Sequence, residues 1–486
     1  MSTAKSRSPL PLLVLLLPMS VHAGTIRVPS QQPTIQDAIV AASDGDSILV
    51  WPGTYHEWID FIGKDVVLLS LSGPADTVID GSPQGDGSDA NYSSTVTFEN
   101  GETRSAVIQG FTITGGQGTY LYGPICGGGI LCLESSPTIR GNIITGNELM
   151  EFYTGIGERG GIYSYQGAPM IVANVISDNI AQGGAGGEGG GIWCVFGETI
   201  IMNNVICSNL AEGSGGGINC SGTSGGLAVH IVNNTIVGNS GTFGGGIDCA
   251  RAVELRNCIL WDNEASVSGP EISLRSATPA SVLDVDYSDI EGEQTGIYVW
   301  TGSTLDWGLG MLDQYPVFEP GPLSLYHLEA GSSPCIDTGD PSVACRDFED
   351  TGSPGYPLWP SLGLIRNDMG AFGGPLSVYW TNRMTGIGQE EGQSSGPGRP
   401  ALHVSPNPAS SFCIASLDLP SNGMVDLWVT DSSGRRVVSS YTGMLPSGLH
   451  VFELDLSGQP CGMYFVVSRC GQVSAMQRIV VISSSE

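Results

Sequence analysis

Gly189-Gly190-Gly191-Ile192-Trp193-Cys194, then Asn204-Val205-Ile206-Cys207-Ser208-Asn209, then Gly215-Gly216-Gly217-Ile218-Asn219-Cys220, then Asn234-Thr235-Ile236-Val237-Gly238-Asn239: this stretch decides the fold. Two phrases alternate in it. The glycine phrase, Gly-Gly-Gly-Ile, also stands at Gly127 to Ile130 and Gly244 to Ile247, with a shortened copy at Gly160-Gly161-Ile162. The asparagine phrase, Asn-x-Ile-x-x-Asn, also stands at Asn142 to Asn147 and Asn174 to Asn179, and Asn257 to Asn263 is a variant one residue longer. The asparagine phrases begin 32, 30, 30 and 23 residues apart. A repeat of that length marks a solenoid. Helical repeats would need apolar residues at a 3.6-residue period and few glycines. Here Ile and Val alternate in short runs, as in Thr199-Ile200-Ile201-Met202 and Val229-His230-Ile231-Val232. Each unit therefore reads as one coil of short strands, stacked about 4.8 Å from the next and burying its apolar edge against its neighbours. The expected fold is all-β: a right-handed parallel β-helix over 24–375, most regular over 105–265.

Residues that recur at one place in the coil acquire a meaning from that register. Asn142, Asn174, Asn204 and Asn234 are expected to turn inward at a bend and hydrogen-bond the Asn above and below. Exposed Asn that bind sugar are the alternative. Two residues after each glycine-phrase Ile stand Cys132, Ser164, Cys194, Cys220 and Cys249. Parallel side chains on adjacent rungs sit too far apart for a good disulfide, so these read as buried thiols acting as small apolar groups. One Cys per rung does not surround a metal ion.

Composition sets the chemistry around this frame. The chain has 486 residues, 71 of them Gly, only 14% charged, and a formal charge of −30. So acidic a surface repels nucleic acid and anionic lipid, and an anionic polysaccharide would need bridging cations. Lys5 and Lys64 are the only lysines. Lys5 and Arg7, the apolar run Leu10 to Pro18, and Val21-His22-Ala23 before Gly24 form the pattern of a secretory signal over 1–23. The apolar run is too short to span a bilayer, and no transmembrane helix is expected. A secreted or cell-surface location and a monomeric state are the expectations.

Both ends of the solenoid carry recognisable phrases. Ile35, Ala38, Ile39 and Ala42 share one helix face, with Thr34 as N-cap. Gly45-Asp46 ends the helix, and Ser47 to Trp51 and Pro52-Gly53-Thr54-Tyr55 follow as strand and turn. This opening resembles that of pectin-lyase-like β-helix proteins, in which a short helix plugs the open coil; it implies an N-terminal cap over 24–62. Ser333-Pro334-Cys335-Ile336-Asp337-Thr338-Gly339-Asp340 and Asn367-Asp368-Met369-Gly370-Ala371-Phe372-Gly373-Gly374 resemble the closing segment of bacterial β-helix surface proteins. Cys335 and Cys345 flank a loop that a disulfide could close. Residues 376–402 read as a linker.

From 403 to 486 short strands suggest a small β-sandwich. Ser405-Pro406-Asn407-Pro408-Ala409, Gly434-Arg435, Gly462-Met463-Tyr464 and Arg478-Ile479-Val480-Val481 resemble the C-terminal sorting domain of type IX secretion, with Arg478 where Lys is usual. The resemblance implies that secretion machinery at the outer membrane is a partner.

The β-helix resemblance implies polysaccharide chemistry, but the motifs that carry it are missing from the sequence. Trp58-Ile59-Asp60 lacks the following His of pectate lyases, there is no Asp-Asp pair of the polygalacturonase kind, and Asp60-Phe61-Ile62-Gly63 lies too early for a pectin methylesterase. Glu158, Glu188 and Glu212 precede glycine phrases and could stack on one edge. Asp337, Asp340, Asp347, Asp350 and Asp368, in a Gly/Pro-rich region, are candidate Ca²⁺ ligands, although their spacing is not that of an EF-hand. Tyr120, Tyr122, Tyr153, Tyr163, Tyr165 and Trp193 are candidates for an exposed carbohydrate platform. Two readings stand: a non-catalytic adhesion or glycan-binding platform, and a polysaccharide lyase or glycoside hydrolase with a divergent site.

Overall fold

The computed structural model describes residues 24–83, 93–121, 125–149, 160–183, 186–222, 228–275, 280–321, 324–350, 353–380, 401–405, 412–419, 422–431, 435–445, 448–459, 462–470 and 473–481. The signal read at 1–23 lies outside them, as does most of the linker.

The body is a parallel β-helix. One coil runs Ile192–Val195, Ile200–Met202, Val205–Cys207 and Leu210–Ala211, and the next begins at Ile218–Ser221. Stacked coils make four parallel sheets, of nine, eleven, nine and five strands in that order along the coil. They are called the first to fourth sheets below. Register is strict because one face of each strand is buried, and a slip of one residue would turn the apolar side outward. Ile130, Ile162, Ile192, Ile218, Ile247, Ile272 and Ile297 face one another along the first sheet. Ile139, Ile171, Ile201, Ile231, Leu255 and Val285 do so along the second. The ladders meet in one core, each fully buried Ile contributing roughly 1.5–3 kcal/mol. The corners between second and third sheets use Asn203, Asn233 and Asn257 at φ 55°, 51° and 54°, a left-handed conformation that Asn tolerates better than most residues.

The helix Ile35–Ala41 inserts Ile35, Ala38 and Ile39 into the N-terminal end of this core. Both its ends are satisfied. Thr34 Oγ1 accepts from Asp37 N at 3.0 Å, and the Glu57 carboxylate accepts from Ile35 N at 3.1 Å and Gln36 N at 3.0 Å. Lys64 Nζ donates to the carbonyls of Ile39, Val40 and Ala42 at 2.9, 2.7 and 2.7 Å, a cation where the helix dipole is negative.

After the last coil the chain turns back as a strap along the corner of the second and third sheets. Cys335 Sγ donates to Asp289 Oδ2 at 3.1 Å. Phe372, Tyr379 and Trp380 pack on Val172, Ala173, Val205 and Cys207, and Arg140 lies over the Tyr379 ring. Packing thus continues to Trp380, past residue 375. The C-terminal residues form antiparallel sheets of three and four strands around a core of their own, with Val404, Leu417, Val429 and Val466 fully buried. No helix among the described residues is long and apolar enough to cross a membrane.

Candidate functional site

The outer face of the first sheet carries a row of chemistry-bearing side chains. Side chains alternate along each strand, so the residue after each core Ile points outward. The outward row reads Asp60, Thr97, Leu131, Tyr163, Trp193, Asn219, Asp248, Ser273 and Tyr298.

At its N-terminal end two carboxyl groups interact. Burial, and repulsion from Glu102, push Asp60 up, while the Ile62 amide at 2.7 Å pulls the other way. Glu99 is pushed up by burial and by Asp60 and Glu102. Glu102 itself is buried, accepting from Gly63 N at 2.7 Å, Asn100 N at 3.0 Å and Ser135 Oγ at 2.8 Å. Trp58, two residues before Asp60, is 39% exposed, its Nε1 held by Gly81 O at 2.7 Å. Carboxyl groups whose pKa is raised, beside an open indole, are the kind of group that passes protons to a sugar oxygen.

Midway the row is aromatic, and here the sequence reading needs correction. Tyr163 and Trp193 are 4% and 6% exposed, their rings meeting edge-on at 5.5 Å. They belong to an outer apolar cluster with Cys126, Leu131 and Val195, so no sugar ring stacks on them. Tyr165 is half-buried and Tyr120 is exposed; Tyr122 and Tyr153 lie outside the described residues.

Towards the C-terminal end Asp248 is buried against Arg275, which donates to it at 2.8 and 3.0 Å, reaches Ser214 Oγ, and stacks on Phe243 at 4.3 Å. Burial pushes the Asp248 carboxyl up, and Arg275 offsets part of the rise. Trp300, 47% exposed, closes this end beside Tyr298. Of the three glutamates, Glu188 pairs through its backbone with Ser214, Glu212 accepts from Gly183 N at 3.1 Å, and Glu158 lies outside the described residues.

The recurring asparagines lie inside. Asn142 donates from its backbone N and Nδ2 to Asn174 Oδ1 at 2.9 and 3.2 Å. Asn174 does the same to Asn204, and Asn204 to Asn234. Asn234 N then meets Cys258 Sγ. A second ladder, which the sequence reading did not single out, runs through the other end of the phrase: Asn147, Asn179, Asn209, Asn239 and Asn263. It ends on Glu271, whose carboxyl accepts from Asn263 N at 3.2 Å and Nδ2 at 2.6 Å. Burial pushes Glu271 up to about 8.

Cys132, Cys194, Cys220 and Cys249 stand with Ser164 in one inward row, fully buried and free. Burial pushes these thiols up, Cys194 to about 11. Cys335 and Cys345 are also free, so the loop between them is not closed by a disulfide. Hydrogen bonds to Asp289 and Asp340 engage their sulfurs instead.

The five candidate Ca²⁺ ligands are not arranged as a ligand set. Asp340 accepts from Ser342 N at 2.8 Å and pairs with Arg256 at 3.3 Å. Asp337, Asp347 and Asp368 are turned to backbone amides of the strap. Asp350 lies in the loop between them, its amide donating to Tyr356 O at 2.9 Å. Among the described residues no group of three or more His, Cys, Asp or Glu is placed to hold a metal ion.

Coil, ladders and strap together define the class: a parallel β-helix with an antiparallel β unit following it. No protein-family model matches the chain, and no curated protein matches it.

Proposed function

We propose that this is an exported, cell-surface β-helix that serves as a rigid, non-catalytic platform for glycans, bound on the outer face of the first sheet. Stiffness carries the reading. Two hydrogen-bonded ladders tie each regular coil to the next, and the strap adds a third tie. Burying polar groups is favourable only when they are fully paired, and full pairing then fixes one geometry. Exposed indoles at both ends of the face, Trp58 and Trp300, supply the stacking surface. Binding of the full chain to an immobilised panel of plant, algal and microbial polysaccharides tests this, with and without Ca²⁺. Binding to at least one glycan is expected, weakened by Trp58→Ala or Trp300→Ala. Loss of neither in a folded double variant would refute the assignment to this face.

The signal at 1–23, the pectin-lyase-like opening and the sorting motifs after residue 403 support export by a type IX-like route, with secretion machinery as partner. On this reading the platform read at 24–375 runs on to the packed Trp380, the rest of 376–402 is the linker and 403–486 is the address. A second reading, a polysaccharide lyase or glycoside hydrolase, is favoured by one observation: Asp60 and Glu99, both pushed up, lie at the Trp58 end of the face, and Asp60 contributes to the rise of Glu99. Asp60→Asn and Glu99→Gln would then abolish release of new sugar ends while leaving binding intact.

A further inference from the structure

The strap consists of two loops, 335–350 and 361–374, laced to each other and to the corner asparagines. Asn257 Oδ1 accepts from Asp340 N at 2.7 Å, and Asn233 Nδ2 donates to Asn367 Oδ1 at 3.0 Å and Asp368 O at 2.9 Å. Asn203 Nδ2 holds Ala371 O at 2.9 Å and Gly373 O at 2.6 Å.

Carboxyl groups lie along the seam between the loops. Asp337 accepts from Leu364 N at 2.9 Å, and Asp368 from Asp337 N at 2.8 Å and Leu362 N at 2.6 Å. Asp347 Oδ1 accepts from Asp368 N at 3.3 Å and also from Gly374 N. Asp347 and Asp368 are 3% and 1% exposed. Of their four oxygens, three have amide donors; Asp347 Oδ2 is buried with none. The nearby Ser361 hydroxyl is engaged with Phe372 O at 2.8 Å and Ser377 Oγ at 3.0 Å. Two buried carboxylates side by side do not both ionise readily, and an oxygen without a donor is where the retained proton belongs.

We propose that Asp347 and Asp368 share one proton at this seam, and that the shared proton makes the strap a pH-sensitive latch, tight in acid and loosened toward neutral pH. The other titratable groups facing the seam are Asp337 and Cys335, and behind Cys335 the coil residue Asp289. Of the basic groups around the seam, Arg256 is engaged with Asp286 and Asp340 and Arg366 with the Thr338 and Gly339 carbonyls, His327 is stacked on Phe372 of the strap and pushed down to about 4 by burial, and Arg346 adjoins Asp347 in the chain. Burial pushes Asp347 up to about 7 from an ordinary 3.8, and Asp368 is raised by burial and by Asp347. A carboxyl raised in the closed state favours closure below its ordinary value. That advantage falls about tenfold per pH unit as pH rises through the window, and is gone above the raised value.

Hydrogen exchange of the full chain at pH 5.5 and 7.5, corrected for intrinsic rates, reads this directly. The Asp337, Leu362 and Gly374 amides should lose at least about tenfold protection relative to the Ile192 and Ile218 amides. In Asp347→Asn the loss should vanish; Asp368→Asn carries the same expectation should the first variant not fold. Asp289→Asn should leave the loss in place, since that carboxyl lies outside the pair. Unchanged protection in the native chain, or an undiminished loss in both Asn variants, overturns the latch. So does full restoration at pH 7.5 by millimolar Ca²⁺, because a cation rather than a proton would then fill the seam.

Discussion

Asn209→Ala removes one rung of the second ladder and should be among the most damaging single changes in the solenoid. Asn209 Oδ1 accepts from Asn179 N at 3.1 Å and Asn179 Nδ2 at 3.0 Å; its Nδ2 donates to Ile176 O at 2.9 Å and Asn239 Oδ1 at 3.0 Å. The side chain is buried, so water does not replace what is lost. The Asn179 backbone amide becomes a buried donor with no acceptor, and two carbonyl oxygens lose a donor. At about 1–3 kcal/mol for each buried group left unsatisfied, discounted for relaxation, the expected loss is about 3–5 kcal/mol. Urea unfolding with linear extrapolation measures the total, and exchange of the Asn179 amide locates it. A loss below about 1 kcal/mol, or one spread evenly over coils far from residue 209, would refute the reasoning.

Lys64→Met strips three hydrogen bonds from the end of the plug helix; it should cost about 1–2 kcal/mol and speed exchange at Ala42 while Ile218 is unaffected. Glu271 holds its proton up to about 8 in the native chain and only to its ordinary 4.5 when unfolded. Its contribution is therefore full below pH 4.5 and lost as pH rises toward 8, and Glu271→Gln should flatten that part of the stability–pH curve measured by urea titration. An aromatic disulfide reagent should label the half-buried Cys345 and Cys470 in the native chain and reach Cys194, Cys220 and Cys249 only on unfolding.

The solenoid was legible because its signal is repeated. Five asparagine phrases at near-constant spacing fix a register that no single strand of three residues could. The inward Asn row followed from the same periodicity, and the second row was equally available in Asn147, Asn179, Asn209 and Asn239. The strap was not legible. Its ties join residues up to 170 positions apart, as in Asn203 to Gly373, and several end on backbone groups that every residue carries. Tyr163 and Trp193 misled for a related reason: alternation gives the direction of a side chain, while its packing against neighbours such as Leu121, Cys126 and Val195 decides whether it meets water. Asp60 and Glu99 come together because Ile59 pairs with Val96, a register across 37 residues with no repeated phrase to announce it.

The central claim is that the outer face holds glycans without cutting them. The direct measurement follows reducing ends and unsaturated-uronate absorbance while the full chain, at saturating concentration, is incubated with each polysaccharide it binds. The account predicts binding with neither signal rising above a protein-free control. A rise in reducing ends that disappears in Asp60→Asn would contradict it and make the face an active site.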